Sequence, residues 1–384
     1  MQPRESLIYL VSAILTGLAV FGKAPLIADI VPVGGGVVYA ACALSCLAPL
    51  LYRQFRKVAR LLAIPIVVTV WLVALVVQSR LLEHLHSQGR GTDQGDCITV
   101  GITQLLHVSW PFDRDLMWSH NPMSCGPGWL VTHVPSVVIG YPATMAALFT
   151  GAVLTVYLKR GREAAANFVV LLALTPGFWL SYANGNDFVT FGVIVVAVSV
   201  LTNRWLSGLG ALVLSQFRLP FVLLPAALGA RRSKSFAALT CAVSVVIYVG
   251  FLWWSPGLMM SDGPLHVLDK STNLVGLPGG RITATVVFVI ATVVVTAIAL
   301  RFSARYSALV YLILTLAPLA VASLATTIHE QHGVIDILGH WEGVSWLTAI
   351  AAVSAGLVAM PERRTQRSTL SPNADRNAAR SGSE

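Results

Sequence analysis

RWLSGLGALVLSQFRLPFVLLPAALGAR, residues 204–231, is the stretch on which the fold of this 384-residue chain turns. Arg204 and Arg231 are separated by 26 residues. That is enough for one passage through a bilayer, which takes about 20 apolar residues, and too few for two, which take about 40. One passage would place Arg231, Arg232, Lys234, Arg301, Arg305 and the five arginines after residue 362 on the outer side. The usual bias of basic residues toward the cytoplasm would then be inverted in every later loop. Arg218, Pro220 and Pro225 also interrupt the stretch, and a proline inside a helix removes a hydrogen bond and clashes with the preceding turn. The stretch therefore reads as a re-entrant hairpin, two half-helices that enter from the cytoplasm and return. Irregular backbone at that depth has to be packed inside protein.

Outward from the hairpin the chain is an alternation of apolar runs and polar connections. Hydrophobic residues make up 55% of it and charged residues 11%, against about a quarter charged in soluble domains. The expected class is all-α: a polytopic membrane protein with about ten crossing helices, the hairpin, and short interfacial helices in an outer loop. The expected spans are Leu7–Phe21, Val37–Leu51, Leu61–Val77, Ser136–Leu158, Phe168–Tyr182, Phe188–Leu201, Phe236–Trp254, Ile282–Leu300, Ala308–Ala325 and Val344–Met360. The first run follows Arg4 without a small-residue cleavage site and reads as a retained helix. Both termini are expected in the cytoplasm and the protein in the inner (plasma) membrane. Nineteen of the 26 basic residues then fall inside and 12 of the 17 acidic residues outside. The net charge of +9 is spread between apolar runs, which argues against a nucleic-acid partner. The expected organisation is two N-terminal helices over 1–60, a main membrane module over 61–362 and a disordered cytoplasmic tail over 363–384.

The expected spans hold almost no ionisable residues, whereas a transporter places them near the midplane. Polar chemistry collects in residues 79–135, 255–281 and 327–343 and in the turn Asn184-Gly185-Asn186-Asp187, all expected outside. In the first loop, apolar residues at 98, 102, 105 and 106 have the spacing of one helix face. Asp93 and Asp96 would open that helix, where its dipole favours negative charge; ordinary loop and N-cap roles explain them as well. Cys42, Cys46 and Cys241 lie in apolar runs and read as packing residues. Cys97 and Cys125 share the outer loop, where either a disulfide or two free thiols fits. The tryptophans near outer span ends, Trp129 among them, read as interfacial anchors, with sugar stacking by one or two as the alternative.

The order of these features resembles the GT-C superfamily of membrane glycosyltransferases, and within it the polyprenyl-phosphate-mannose-dependent α-mannosyltransferases of actinobacteria. Asp93-Gln94-Gly95-Asp96-Cys97 is similar to the family's outer-loop acidic motif, with Cys97 in the aromatic position. Leu105 to Phe112 resembles its Leu-Leu-x-Gly-x-x-Pro-Tyr, with Val108 where glycine is usual. Asn184-Gly185-Asn186 is similar to its Gly-Gln-x-Asn turn, and Ser207 to Arg232 to its hairpin. The likeness covers roughly residues 61–235. The acidic loop follows the third span rather than the first, so two additional N-terminal helices precede the likeness.

The resemblance implies inverting transfer of a sugar from a polyprenyl-phosphate donor to a lipid or glycan acceptor at the outer face. An acceptor alcohol is a poor nucleophile, so a carboxylate must take its proton as the bond forms. Asp93 is the expected base and Asp96 the second carboxylate, which could steer the acceptor or join a divalent cation. No cofactor follows from these residues, and a divalent cation is the one the two carboxylates leave open. The departing phosphate needs positive charge or donors. Lys270, Arg281, His329, His332 and His340, with Asn184, Asn186 and Asp187, are the candidates for donor-phosphate or substrate binding; solvated loop roles are the plain alternative. His329 and His332 lack a third ligand for zinc, and Arg218 is expected to bind backbone carbonyls within the hairpin. The rival functions are a carrier or flippase for a lipid-linked intermediate and a non-catalytic partner protein of the same fold.

Overall fold

The computed structural model describes residues 57–87, 89, 92–229, 233–268, 280–330 and 342–360. Among these the protein is all-helical and has no strand. The expected helices before residue 57 and the tail after residue 360 lie outside the described residues.

Five helices are long and apolar enough to cross a membrane: α1 (Ala59–Ser87), α5 (Tyr141–Arg160), α11 (Lys234–Trp254), α13 (Gly280–Arg301) and α14 (Ser307–Glu330). Four cover an expected span, and α5 begins five residues inside the fifth, Ser136–Leu158, after a break at Gly140, whose φ is 84°. The remaining spans within the described residues are shorter or broken, so the count of ten is not what the long helices give. Phe168–Tyr182 is split between α6 (Arg162–Ala173) and α7 (Pro176–Ala183), which meet at 79°. Proline at the first position of α7 has no N–H with which to continue α6, and the Trp179 Nε1 donates to the Ala173 carbonyl left open by the break (2.8 Å). Phe188–Leu201 becomes α8 (Asp187–Val200), and Val344–Met360 becomes α15 (Leu347–Ala359). At 14 and 13 residues, these run roughly 20 Å, against the roughly 30 Å of a bilayer core.

The reason α8 and α15 can be short is their position. A helix apolar all round belongs inside a protein, and nearly every residue of both is buried. They pack directly on each other through small residues. A Cβ on Gly192 would stand 2.8 Å from the Ala349 carbonyl, and one on Gly356 would stand 2.6 Å from Val196. Close backbone approach of this kind is how helices associate where no water drives them together. The long helices α11 and α13, by contrast, turn rows of valine, isoleucine and leucine outward.

Residues 204–229 fold as a helix–turn–helix. It consists of α9 (Arg204–Ser215), a 3₁₀ turn (Leu219–Phe221) and α10 (Leu224–Gly229). Asn203 caps α9 by accepting from the Trp205 and Leu206 N–H groups. Pro220 sits in the first turn of the 3₁₀ helix, where a missing N–H costs little. One cleft is lined by Arg204, Gly229 and Ser233 together, so the segment ends where it began. Its tip meets α11 at Ser244, where the Gln216 Nε2 donates to the Ser244 hydroxyl (2.7 Å) and carbonyl (3.1 Å). Ser244 is midway along the 21 residues of α11. The hairpin therefore reaches about half the depth of a crossing helix.

Candidate functional site

Two segments converge on the hairpin tip: the loop between α1 and α5, and the turn before α8. In the loop, α2 (Gln94–Leu106) has Asp93 at its N-cap and Asp96 in its first turn, as the apolar spacing predicts. Both carboxylates are half-buried and both are held by the segment 118–121. The Asp93 Oδ2 accepts from the Ser119 hydroxyl (3.2 Å) and the Asn121 amide (3.3 Å). The Asp96 Oδ2 accepts from the Trp118 N–H (2.8 Å). Among the described residues, the Oδ1 atoms of both take no partner. His120, between the holders, has φ 52°, a turn that presents Ser119 and Asn121 to the same carboxylate. The Trp118 indole stacks on His86, ring centroids 4.1 Å apart.

A disulfide joins Cys97 to Cys125. Cys97 is thus a covalent tie between the start of α2 and the entry to α3 (Pro127–Thr132). Gly126 follows, and its N–H donates to the Phe217 carbonyl at the hairpin tip (3.1 Å). The loop is tied on its other flank as well. The Met123 N–H donates to the Asp262 carbonyl (2.6 Å), and Arg114 pairs with the Asp262 carboxylate (3.4 Å). The described part of residues 79–135 is therefore tied to the segment 255–268 through Asp262.

The turn before α8 supplies the buried charge. Asn186 is the N-cap of α8 and accepts from the Phe188 N–H (3.0 Å). Gly185 has φ 70°, and its carbonyl accepts from the Tyr141 hydroxyl (2.8 Å). Asp187, with no exposed surface, accepts from the Trp129 Nε1 (3.0 Å) and pairs with Arg218 (3.5 Å). Its N–H donates to the Gln94 side chain (2.7 Å), which links the turn to the residue between the two loop aspartates. Arg218 lies over the rings of Phe217 (5.0 Å) and Phe188 (5.7 Å). Its partner is thus the Asp187 carboxylate and two aromatic faces, not the hairpin carbonyls expected from sequence. A charged pair removed from water holds only if each charge compensates the other. Here one guanidinium nitrogen, Nη1, is buried with no partner. His133, in the loop behind Trp129, is fully buried, and burial pushes its pKa down to about 4 against the opposing bond to the Trp129 carbonyl.

Of the residues singled out from sequence, Asp93, Asp96, Asn186 and Asp187 meet in this cluster, with Asn184 buried beside them and its amide oxygen unpartnered. Arg281 opens α13 and His329 lies in the last turn of α14, both exposed. Lys270, His332 and His340 lie outside the described residues. No three His, Cys, Asp or Glu side chains come together as a metal site among the described residues. Gln94 entered the sequence reading only as part of the acidic motif, and Trp129 as an interfacial anchor, a role its full burial and its bond to Asp187 correct; Ser119, Asn121 and Tyr141 were assigned no role. No family model, curated protein or solved structure matches the chain.

Proposed function

We propose that the protein is an inverting membrane glycosyltransferase that moves a sugar, mannose in first place, from a polyprenyl-phosphate donor to an envelope lipid or glycan acceptor on the extracytoplasmic side. The observation that carries this reading is the pair Asp93 and Asp96 at the start of α2, each held through Oδ2 with Oδ1 left to a substrate. One carboxylate takes the proton of the acceptor hydroxyl while its oxygen bonds to the anomeric carbon. The bond from that carbon to the phosphate breaks on the opposite face, and the phosphate leaves with the electron pair. Asp93 is assigned the proton and Asp96 the positioning of the acceptor. Arg281, His329, Lys270, His332 and His340 are the assigned sources of positive charge for the leaving phosphate. The assigned topology has ten crossings with the hairpin, inner-membrane location and cytoplasmic termini; it rests on the charge bias of the loops. The disulfide supports an outer position for the loop, since such bonds persist in oxidising compartments.

Asp93→Asn and Asp96→Asn, assayed singly for transfer from labelled polyprenyl-phosphate-mannose to membrane lipids, test the assignment. Loss of about 100-fold or more in one variant is expected for a missing general base; full transfer by both would refute it. The buried Asp187–Arg218 pair favours one second reading, a carrier for a lipid-linked intermediate. That reading requires translocation of the intermediate by purified protein in vesicles when no acceptor is present.

A further inference from the structure

Residues 131–139, VTHVPSVVI, lead from the aspartate loop into α5. They hold the end of α3 and one short helix, α4 (Ser136–Ile139), before the break at Gly140. The segment has two unlike sides. His133 and Ser136 are buried, while Val131, Val134, Val137, Val138 and Ile139 are exposed, Val138 to 86%. With Pro135, every exposed side chain of the segment is hydrocarbon. No Asp, Glu, Lys or Arg occurs from Leu116 to Leu158. An exposed apolar ridge of this kind marks a surface that meets protein or membrane.

The level of the ridge is set by α5. Its 20 residues make roughly 30 Å of helix, the thickness of a hydrocarbon core. If α5 crosses, the residues just before Tyr141 lie where the core gives way to head groups. The 21 residues of α11 give the same level independently, because they end at Trp253 and Trp254, and Trp253 is 87% exposed. Exposed tryptophans at a span end mark the membrane–water interface. That end of α11 is on the aspartate side, since Trp110 of the loop meets Trp254 edge-on at 5.5 Å.

We propose that residues 131–139 are a wedge lying in the membrane leaflet on the aspartate side, with the valine ridge at the boundary of head groups and acyl chains. Lipid is the partner because the ridge is continuous with a crossing helix and turns outward no group that could select a protein. The buried side of the wedge carries the consequence. The His133 Nδ1 bonds to the Trp129 carbonyl (3.0 Å), and the Trp129 indole holds Asp187 (3.0 Å). Gly95, between the two loop aspartates, lies against the Tyr141 ring, which a Cβ there would approach to 2.9 Å. The depth of the wedge thus sets the aspartates at head-group level, where a molecule carried in the membrane reaches them. The wedge rests on the bundle crossing a membrane and is independent of the sugar-transfer reading.

Lipid quenching in the full-length protein tests the wedge. Cys42, Cys46 and Cys241 are replaced by alanine, the disulfide is retained, and Val138→Cys carries an environment-sensitive fluorophore. The protein is placed in liposomes of phosphatidylcholine, plain or brominated on the acyl chains. Insertion by about 5–10 Å brings the label to the brominated carbons, so at least about half of its emission should be lost. Val131→Cys, at a second exposed position of the ridge, should behave alike and guards against a local distortion at Val138. Asp115→Cys, on an exposed residue of the same loop, should keep its emission. Equal emission from both ridge labels in the two liposomes would overturn the wedge: a red-shifted spectrum would then place the ridge in water, and a blue-shifted one under a second copy or another protein. Quenching at Asp115→Cys as strong as at Val138→Cys would overturn it too, since the ridge would then have no depth of its own.

Discussion

Val108 holds a side chain branched at Cβ in a backbone conformation that glycine adopts without cost: its φ is 57°. The side chain is 83% exposed, so no packing compensates. The left-handed backbone gives a physical reason to prefer glycine there. Left-handed geometry costs an L-residue about 1–2 kcal/mol, while glycine brings an entropic penalty of about 0.5–1 kcal/mol. The first term exceeds the second, so Val108→Gly is expected to stabilise the protein by about 0.5–1 kcal/mol, read as a rise in Tm in detergent. A lower Tm would show that the turn depends on the valine. The Asp187–Arg218 pair has the opposite character, since each charge is tolerable only through the other. Asp187→Asn or Arg218→Met alone should cost about 3 kcal/mol or more, because one buried charge is stranded. Together they should cost less than the sum by at least about 1 kcal/mol; strict additivity would show that the charges do not stabilise each other. The pairing was within reach of sequence reasoning. Asp187 precedes an apolar run and Arg218 lies within one, and lone ionisable residues in such runs find each other. The partners Trp129 and Gln94 were not legible, because they act through fold geometry: a tryptophan near a span end has the same composition signal whether it anchors in lipid or binds a carboxylate.

At the scale of elements, the break in residues 204–231 was readable because Arg218, Pro220 and Pro225 interrupt the apolar run, and the structure turns there. The break between α6 and α7 and the shortness of α8 and α15 were less legible. Hydropathy reports apolar length and is silent on whether the surface meets lipid or another helix, and α8 meets helices on nearly every side. What joins the hairpin to the loop is the close contact at Gly126 and Gly128. A Cβ on Gly126 would run into the Gln216 carbonyl oxygen and stand 2.6 Å from the Tyr248 hydroxyl; one on Gly128 would stand 2.7 Å from the Gln216 side chain. The carbonyl belongs to backbone and has little freedom to yield. Gly126→Ala should therefore cost about 1–3 kcal/mol by overpacking and loosen the loop from the tip. Hydrogen exchange should rise at the Gly126 N–H, which is bonded to Phe217, and remain unchanged in the buried α8. Unchanged exchange at Gly126 would show that the loop is held by its disulfide and the Asp262 contacts alone.

For the whole molecule, the decisive feature is that the hairpin's open end and the aspartate loop lie at opposite ends of the same bundle. The Tyr141 end of α5 touches Gly185 in the aspartate cluster, while its last turn carries Lys159 and Arg160. The hairpin spans the same direction, from the cleft at Arg204 to the tip at Arg218 beside Asp187. If the bundle is in a membrane in the assigned sense, a residue at the cleft end and a residue in the loop must differ in access from outside the cell. Ser233 lines the cleft and Ser109 is exposed in the loop after α2. With Cys42, Cys46 and Cys241 replaced by alanine, and the disulfide pair retained, Ser109→Cys should react with an impermeant maleimide in intact cells. Ser233→Cys should react only after the membrane is permeabilised. Labelling of Ser233→Cys in intact cells with Ser109→Cys silent would reverse the orientation, placing the aspartates in the cytoplasm and away from an extracytoplasmic acceptor. Labelling of both from outside would mean that the hairpin end is open to the exterior, and the charge-bias topology would then fail as a whole.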